Sequence, residues 1–176
     1  VEQRRWCQLG ILSSASYSQR LTRGLINAPP FWQIVARACV IIPSVDNAEE
    51  LGVVLDGIAR QTYEDLEVVV VGPKDDAARI VAEGRKVRFI DDKGSMTRAD
   101  ACNVAIGETE SEFVIFTDDD VIVPEEWVER LVRWFDREEV SGVGGPNFAP
   151  LDESNTWQKA IDIAFSNVYL LSLIHI

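Results

Sequence analysis

The sequence is poor in residue types on which many enzymes depend. Its 176 residues include one histidine, His175, three cysteines and one methionine. A lone histidine next to the last position excludes a mechanism built around a central imidazole. Cys7, Cys39 and Cys102 are odd in number and widely spaced, with no C-x-x-C pair. They predict reduced thiols in an intracellular protein, and neither a disulfide framework nor a zinc site. Long apolar runs are also missing: none reaches the roughly 18 residues of a membrane-spanning helix. The opening VEQRRWCQLGILSSASYS has too short an apolar centre for a signal peptide.

Positive charge is scarce and unevenly placed. Seventeen Lys and Arg face 29 Asp and Glu, a formal charge of −12. Residues 1–37 hold five arginines against Glu2, a balance of +4, which leaves −16 for the rest. So acidic a body lacks the clustered Lys and Arg of a nucleic-acid interface, and nucleic acid is excluded as a partner. A small anionic ligand remains compatible if a cation mediates. The length and 47% hydrophobic content fit one packed domain. The charge break sets a poorly defined basic segment, 1–37, apart from a domain at 38–167. The tail, 168–176, ends in SLIHI and reads as foreign to that domain.

From Ala38 onward the pattern is regular. ACVIIP is a short β-branched run closed by Pro43, as in a strand buried on both faces. In the following segment Leu51, Val54, Leu55 and Ile58 recur at helical spacing. Asp46 or Asn47, three residues before Glu49 or Glu50, predicts a capping box there. DLEVVVVG and VRFID predict two more strands, with a short helix at AARIVAEGR between them. TRADACNVAIGET predicts a helix and EFVIFT a fourth strand. PEEWVERLVRWFDRE starts with Pro124 near a first helical turn and puts Trp127, Leu131, Trp134 and Phe135 on one stripe, which favours core packing for both tryptophans. A further helix is expected at NTWQKAIDIAF. Strands alternating with helices imply a mostly parallel, doubly wound sheet, and ligands in such sheets bind beyond the carboxyl ends of the strands.

The fourth strand delivers three adjacent carboxylates in FTDDDVIVP. An acidic triplet alone is most often a solvated turn. Here it ends a buried strand, with two earlier strand ends expected to converge on it, which favours a ligand site. Hard cations such as Mg²⁺ or Mn²⁺ take oxygen ligands, and Mg²⁺ commonly uses one or two protein carboxylates together with substrate phosphates.

From Cys39 to about Asn167 the chain resembles a family 2 glycosyltransferase of the GT-A fold. VIIPSVDNAEELGVVLDGIARQTYEDLEVVVV is similar to the family's opening strand, helix, Q-T-Y turn and second strand, and FTDDDVIVPEEWVERLV to its D-x-D segment and following helix. The resemblance implies a three-layer α/β/α sandwich with a mostly parallel sheet, incomplete at the C-terminus. It also implies inverting transfer of a sugar from a nucleotide-diphosphate sugar, with Mg²⁺ or Mn²⁺, to an unknown glycan or lipid-linked acceptor. Pro43, Ser44 and Val45 fall where the family's P-T-Y turn holds the nucleotide. Arg98 and Asn103 fall near its A-R-N segment beside the diphosphate. Asp118 falls on the carboxylate that meets ribose or metal, Asp120 on the one that binds metal, and Asp119 beside the donor sugar or pointing elsewhere.

Several positions depart from the family pattern. GPKDDA replaces the turn that carries a base-reading aspartate, with Asp75 or Asp76 as substitutes after a shift. GGPNFAP resembles a loop of members with lipid-linked acceptors, and equally fits a Gly-Pro turn leaving the sheet. Trp157 is the acceptor-side aromatic candidate. The catalytic base is expected beyond residue 176, as is any membrane association, at the cytoplasmic face. Two alternatives stand beside this expectation. One is a phosphatase of the haloacid dehalogenase type with Asp118 as nucleophile, although Ile122 occupies the place of its small polar residue. The other is a non-catalytic nucleotide-sugar-binding fragment.

Overall fold

The computed structural model describes residues 10–13, 37–137, 139–145, 156–157 and 159–160. In chain order the elements are β1 (Gly10–Ser13), β2 (Ala38–Pro43), α1 (Ala48–Ile58), β3 (Leu66–Gly72), α2 (Ala77–Gly84) and β4 (Arg88–Asp91). They continue as α3 (Arg98–Gly107), β5 (Phe113–Phe116), α4 (Trp127–Val132), a 3₁₀ turn (Arg133–Asp136) and β6 (Gly142–Gly144). The six strands form one sheet in the order β4-β3-β2-β5-β1-β6. Strands β2 to β5 run parallel, and β1 lies antiparallel between β5 and β6.

Strand β2 is central because its sequence tolerates no exposed face. Ala38, Val40 and Ile42 point into a core shared with α1, α2 and α4, whereas Cys39 and Ile41 point into a second core shared with Ala101 and Ala105 of α3. All five are 0% exposed. The period-two alternation of a strand therefore builds two cores at once and makes the domain a three-layer α/β/α sandwich. Each fully buried Val or Ile contributes about 1.5–3 kcal/mol of hydrophobic stabilisation. Burial also silences Cys39, whose thiol is pushed up to about 12 chiefly by desolvation.

From β2 the chain steps outward to β3 and β4, then crosses back to set β5 on the other side of β2. The reversal leaves a crevice beyond the carboxyl ends of β2 and β5. Strand β1 lies outside the span expected to form the domain, and its Gly10–Ser13 backbone covers the edge that β5 would otherwise present. Four residues are too few to show a readable period.

Two local expectations change. The capping box before α1 does not form: Asn47 is the N-cap, without a side-chain cap bond. Asp46 takes a left-handed φ of 55° and donates its amide to the Asp76 carboxylate at 2.9 Å, so the turn is tied across strand ends and not along the helix. Pro124 precedes α4 and accepts from the Trp127 amide at 3.1 Å. Trp127 and Leu131 are buried as expected, but Trp134 is 49% exposed. The tighter winding of the 3₁₀ turn carries it off the apolar stripe. It lies instead under the Arg137 guanidinium, 4.7 Å from the ring centroid, while Phe135 keeps its contact with Phe113 at 5.1 Å.

Residues 146–150 of the GGPNFAP loop and 168–176 of the tail lie outside the described residues. So does most of the expected last helix, of which residues 156, 157, 159 and 160 are helical. Among the described residues no helix is long and apolar enough to cross a membrane.

Gly72 is where backbones meet most closely. A Cβ there would stand 2.2 Å from the carbonyl oxygen of Ser44. Ser44 in turn donates its amide to Val71 O at 2.9 Å, so the clashing oxygen belongs to an anchored turn and cannot rotate away. Gly72→Ala is therefore expected to cost about 1–3 kcal/mol, toward the upper end of overpacking effects, measured as a lower urea midpoint at unchanged slope.

Candidate functional site

Three strand ends meet at the crevice. On β5, Phe113 and Ile115 are buried, and Thr117 just after it is 0% exposed. The Thr117 amide continues the pairing with β2 by donating to Ile41 O at 3.3 Å. The chain leaves the sheet only at Asp118, so a rigid strand presents the carboxylates. Pro43 ends β2 on the neighbouring side, and Gly72 ends β3 beyond it.

The resulting cleft has a volume of about 740 Å³, and Pro43, Val45, Arg98, Asp118, Asp119 and Asp120 are all on its wall. Six of the sequence candidates are thus brought together. Asp119 is on the wall with its two neighbours.

Ser44, Asp76 and Asn103 are not on that wall. Ser44 is 1% exposed, and its hydroxyl has no hydrogen-bond partner among the described residues. Its backbone holds the turn. Asp76 is occupied as the N-cap of α2, accepting from the Ala78 amide at 2.8 Å with one oxygen and from the Asp46 amide with the other. Asn103 lies exposed on α3. A residue numbered into a motif need not face the ligand that the motif serves.

The structure adds groups that sequence reasoning missed. Asp92, 5% exposed, and the segment Ser95 to Thr97 are also on the wall. The available signal was DDKG at the end of a strand, an aspartate followed by a glycine at a positive φ of 77°. Asp92 accepts from the Gly94 amide at 2.9 Å, and Met96 is 91% exposed beside it.

Charge dominates the chemistry of this cleft. Among the described residues, Asp46, Asp92, Asp118, Asp119 and Asp120 line it, against Arg98 alone. Burial first, then Asp120 and Asp119, push the Asp118 carboxyl up to about 7. Arg98 forms an ion pair with Asp118 and opposes that rise. Its side chain is 39% exposed, whereas that of Asp118 is 13% exposed, so solvent screens the guanidinium while the carboxylate bears the desolvation, and the upward direction stands. Among the described residues no group of three or more His, Cys, Asp or Glu is arranged to enclose a metal. The donor set nevertheless fits a hard divalent cation that takes one or two protein carboxylates and completes its sphere from a ligand.

This arrangement, an α/β/α sandwich with an aspartate turn at the topological switch point, is that of the GT-A glycosyltransferase fold. The chain belongs to Glycosyl transferase family 2, whose profile matches residues 39–174. The phosphatase alternative is thereby set aside. A curated relative, glycosyltransferase GlyG of Streptococcus pneumoniae serotype 4, is 26% identical over 122 residues, which are 66% of this chain and 40% of the relative. The solved mannosyltransferase PcManGT of Pyrobaculum calidifontis, in complex with GDP-Man and Mn²⁺, superposes with a TM-score of 0.56 at 25% identity, covering 71% of this chain and 40% of that one. Glucosyl-3-phosphoglycerate synthase of Mycobacterium tuberculosis, with Mn²⁺, UDP and glucosyl-3-phosphoglycerate, shares the fold with a TM-score of 0.50 at 20% identity, over 62% and 46% of the two chains. This chain therefore spans less than half the length of each.

The raised Asp118 pKa has a consequence for stability. The folded state holds a proton that the unfolded chain releases near 3.8. The stabilisation is complete below that value and is lost as pH rises through about 7. Asp118→Asn removes the dependence. Relative to wild type, the variant should gain stability between about pH 5 and about pH 8, read from urea midpoints at both values.

Proposed function

We propose that the domain binds a nucleotide-diphosphate sugar together with Mg²⁺ or Mn²⁺ and serves as the donor half of an inverting glycosyltransferase. The observation that carries this reading is the convergence of Pro43, Val45, Arg98 and Asp118 to Asp120 on one cleft at the switch point. Family membership and the GDP-Man and Mn²⁺ bound by the archaeal mannosyltransferase support it.

Electrostatics explains why a cation is part of the reading. A diphosphate beside five carboxylates and one guanidinium is repelled by about 1 kcal/mol per unit pair at 4 Å in water, and by about 4 kcal/mol at an effective dielectric of 20. Asp118 and Asp120 would hold the cation. When bound, it screens the diphosphate and stabilises charge on the leaving group.

The chain's own groups do the rest. Arg98 offers planar donors matched to phosphate oxygens. Val45 and Met96, 59% and 91% exposed, put apolar surface on the same cleft, suited to one face of a base. Asp119 faces the cleft beside them, toward the donor sugar. The acceptor is a glycan or a lipid-linked molecule, and the group that deprotonates it is assigned to none of the described residues. The reading places the protein in the cytoplasm, at the membrane face if its acceptor is lipid-linked.

Calorimetric titration with GDP and with UDP, each with and without Mn²⁺, tests the proposal. At least one nucleotide is expected to bind only with the metal, and Asp120→Ala should weaken that binding by about a hundredfold or more, as expected when a charged, coordinating partner is lost. Binding that ignores the metal, or survives Asp120→Ala unchanged, overturns it.

A further inference from the structure

The aspartate turn is fixed at its start by the sheet, and at its end an amide side chain from another element bonds the backbone on both sides of the entry to α4. Gln61, just past the end of α1, donates through Nε2 to the carbonyl of Pro124 at 2.7 Å and accepts through Oε1 from the Val128 amide at 3.0 Å. Only this orientation satisfies both backbone groups, because a carbonyl needs the NH₂ end and an amide the oxygen. Helix α4 lacks a side-chain cap of its own, its N-cap being Glu126. The Val128 amide is one of the orphan donors of its first turn, and Gln61 caps it from 67 residues away.

Neighbouring groups make this a clasp. The Thr62 amide donates to Glu125 O at 2.9 Å, and its hydroxyl donates to Glu129 Oε2 at 2.8 Å. Val123, 7% exposed, joins the main core and lies against Gly57 of α1. The segment from Asp118 to Ile122 is therefore strung between the β5–β2 pairing at Thr117 and the clasp at Pro124.

We propose that Gln61 is a positioning residue for the cation-binding carboxylates: it touches neither donor nor metal, and it holds the exit of the Asp118–Asp120 turn so that the carboxylates keep their places on the cleft wall. Tethered at both ends, the segment loses its conformational freedom at folding and not at binding. Released at one end, it loses that freedom when the cation binds, and affinity falls accordingly.

The proposal rests on the donor-binding reading, and Gln61→Glu separates a positioning role from simple helix capping. A carboxylate still accepts from the Val128 amide and adds negative charge at the α4 N-terminus, where the dipole favours it. It cannot donate to Pro124 and sets an oxygen against that carbonyl. If Gln61 only caps the helix, Gln61→Glu should match wild type in amide exchange across Asp118–Ile122 and in nucleotide binding. If it positions the turn, the unfolding midpoint stays near that of wild type, amide exchange across Asp118–Ile122 speeds up about tenfold without any ligand, and Mn²⁺-dependent binding of GDP or UDP weakens by about tenfold. Gln61→Leu, which loses both bonds, should show the same exchange and binding changes with a lower midpoint. Unchanged exchange in both variants overturns the clasp. Faster exchange together with unchanged nucleotide affinity overturns its role in binding. Faster exchange in a protein that binds no nucleotide even as wild type upholds the clasp and overturns the donor reading.

Discussion

Strand β2 carries the constraint on which everything else depends. Its residues are buried on both faces, with β3 and β5 paired to its two edges. Because alternate side chains feed two separate cores, the strand cannot slip by one residue without exchanging their contents. A fixed register fixes where β2 ends, and Pro43 and Ser44 begin the turn at that point. The same register fixes β5 beside it, through Ile41 opposite Phe116, and hence the height at which Asp118 emerges.

The cleft is assembled from parts that are individually weak. An aspartate triplet, a proline turn and an arginine on a helix each have an ordinary explanation as solvated or structural groups. Their meeting at the switch point changes that, because six acidic or basic side chains then face a volume of about 740 Å³. The imbalance of charge makes the cleft hostile to a bare diphosphate and receptive to a cation that bridges. The apolar surface on the cleft comes from Val45 and Met96, in turns that follow two different strands, which is why no contiguous motif announces it.

Much of the rest of the structure serves to hold turns still. Asp76 ties down Asp46, Gly72 admits the Ser44 carbonyl, and Gln61 with Thr62 fastens the segment beyond the aspartates to the end of α1. These contacts are polar and join residues distant in sequence. Each replaces a local device, such as the capping box before α1 or a cap on α4, by a bond between elements.

The sequence by itself determined the alternation of strands and helices, the double burial of ACVIIP, the family, and the acidic turn at the end of the fourth parallel strand. All of these rest on period, composition or contiguous motifs, which short-range chemistry imposes. Tertiary structure decided what depends on direction and distance. It turned Ser44 and Asn103 away from the cleft and spent Asp76 on a cap. It brought in Asp92 and Met96 from the turn after β4, carried Trp134 out of the core through a 3₁₀ turn, and paired Gly10–Ser13 with β5. The physical reason is common to them all: a side chain's role is set by which neighbours complete its hydrogen bonds and exclude its water, and those neighbours come from elsewhere in the chain.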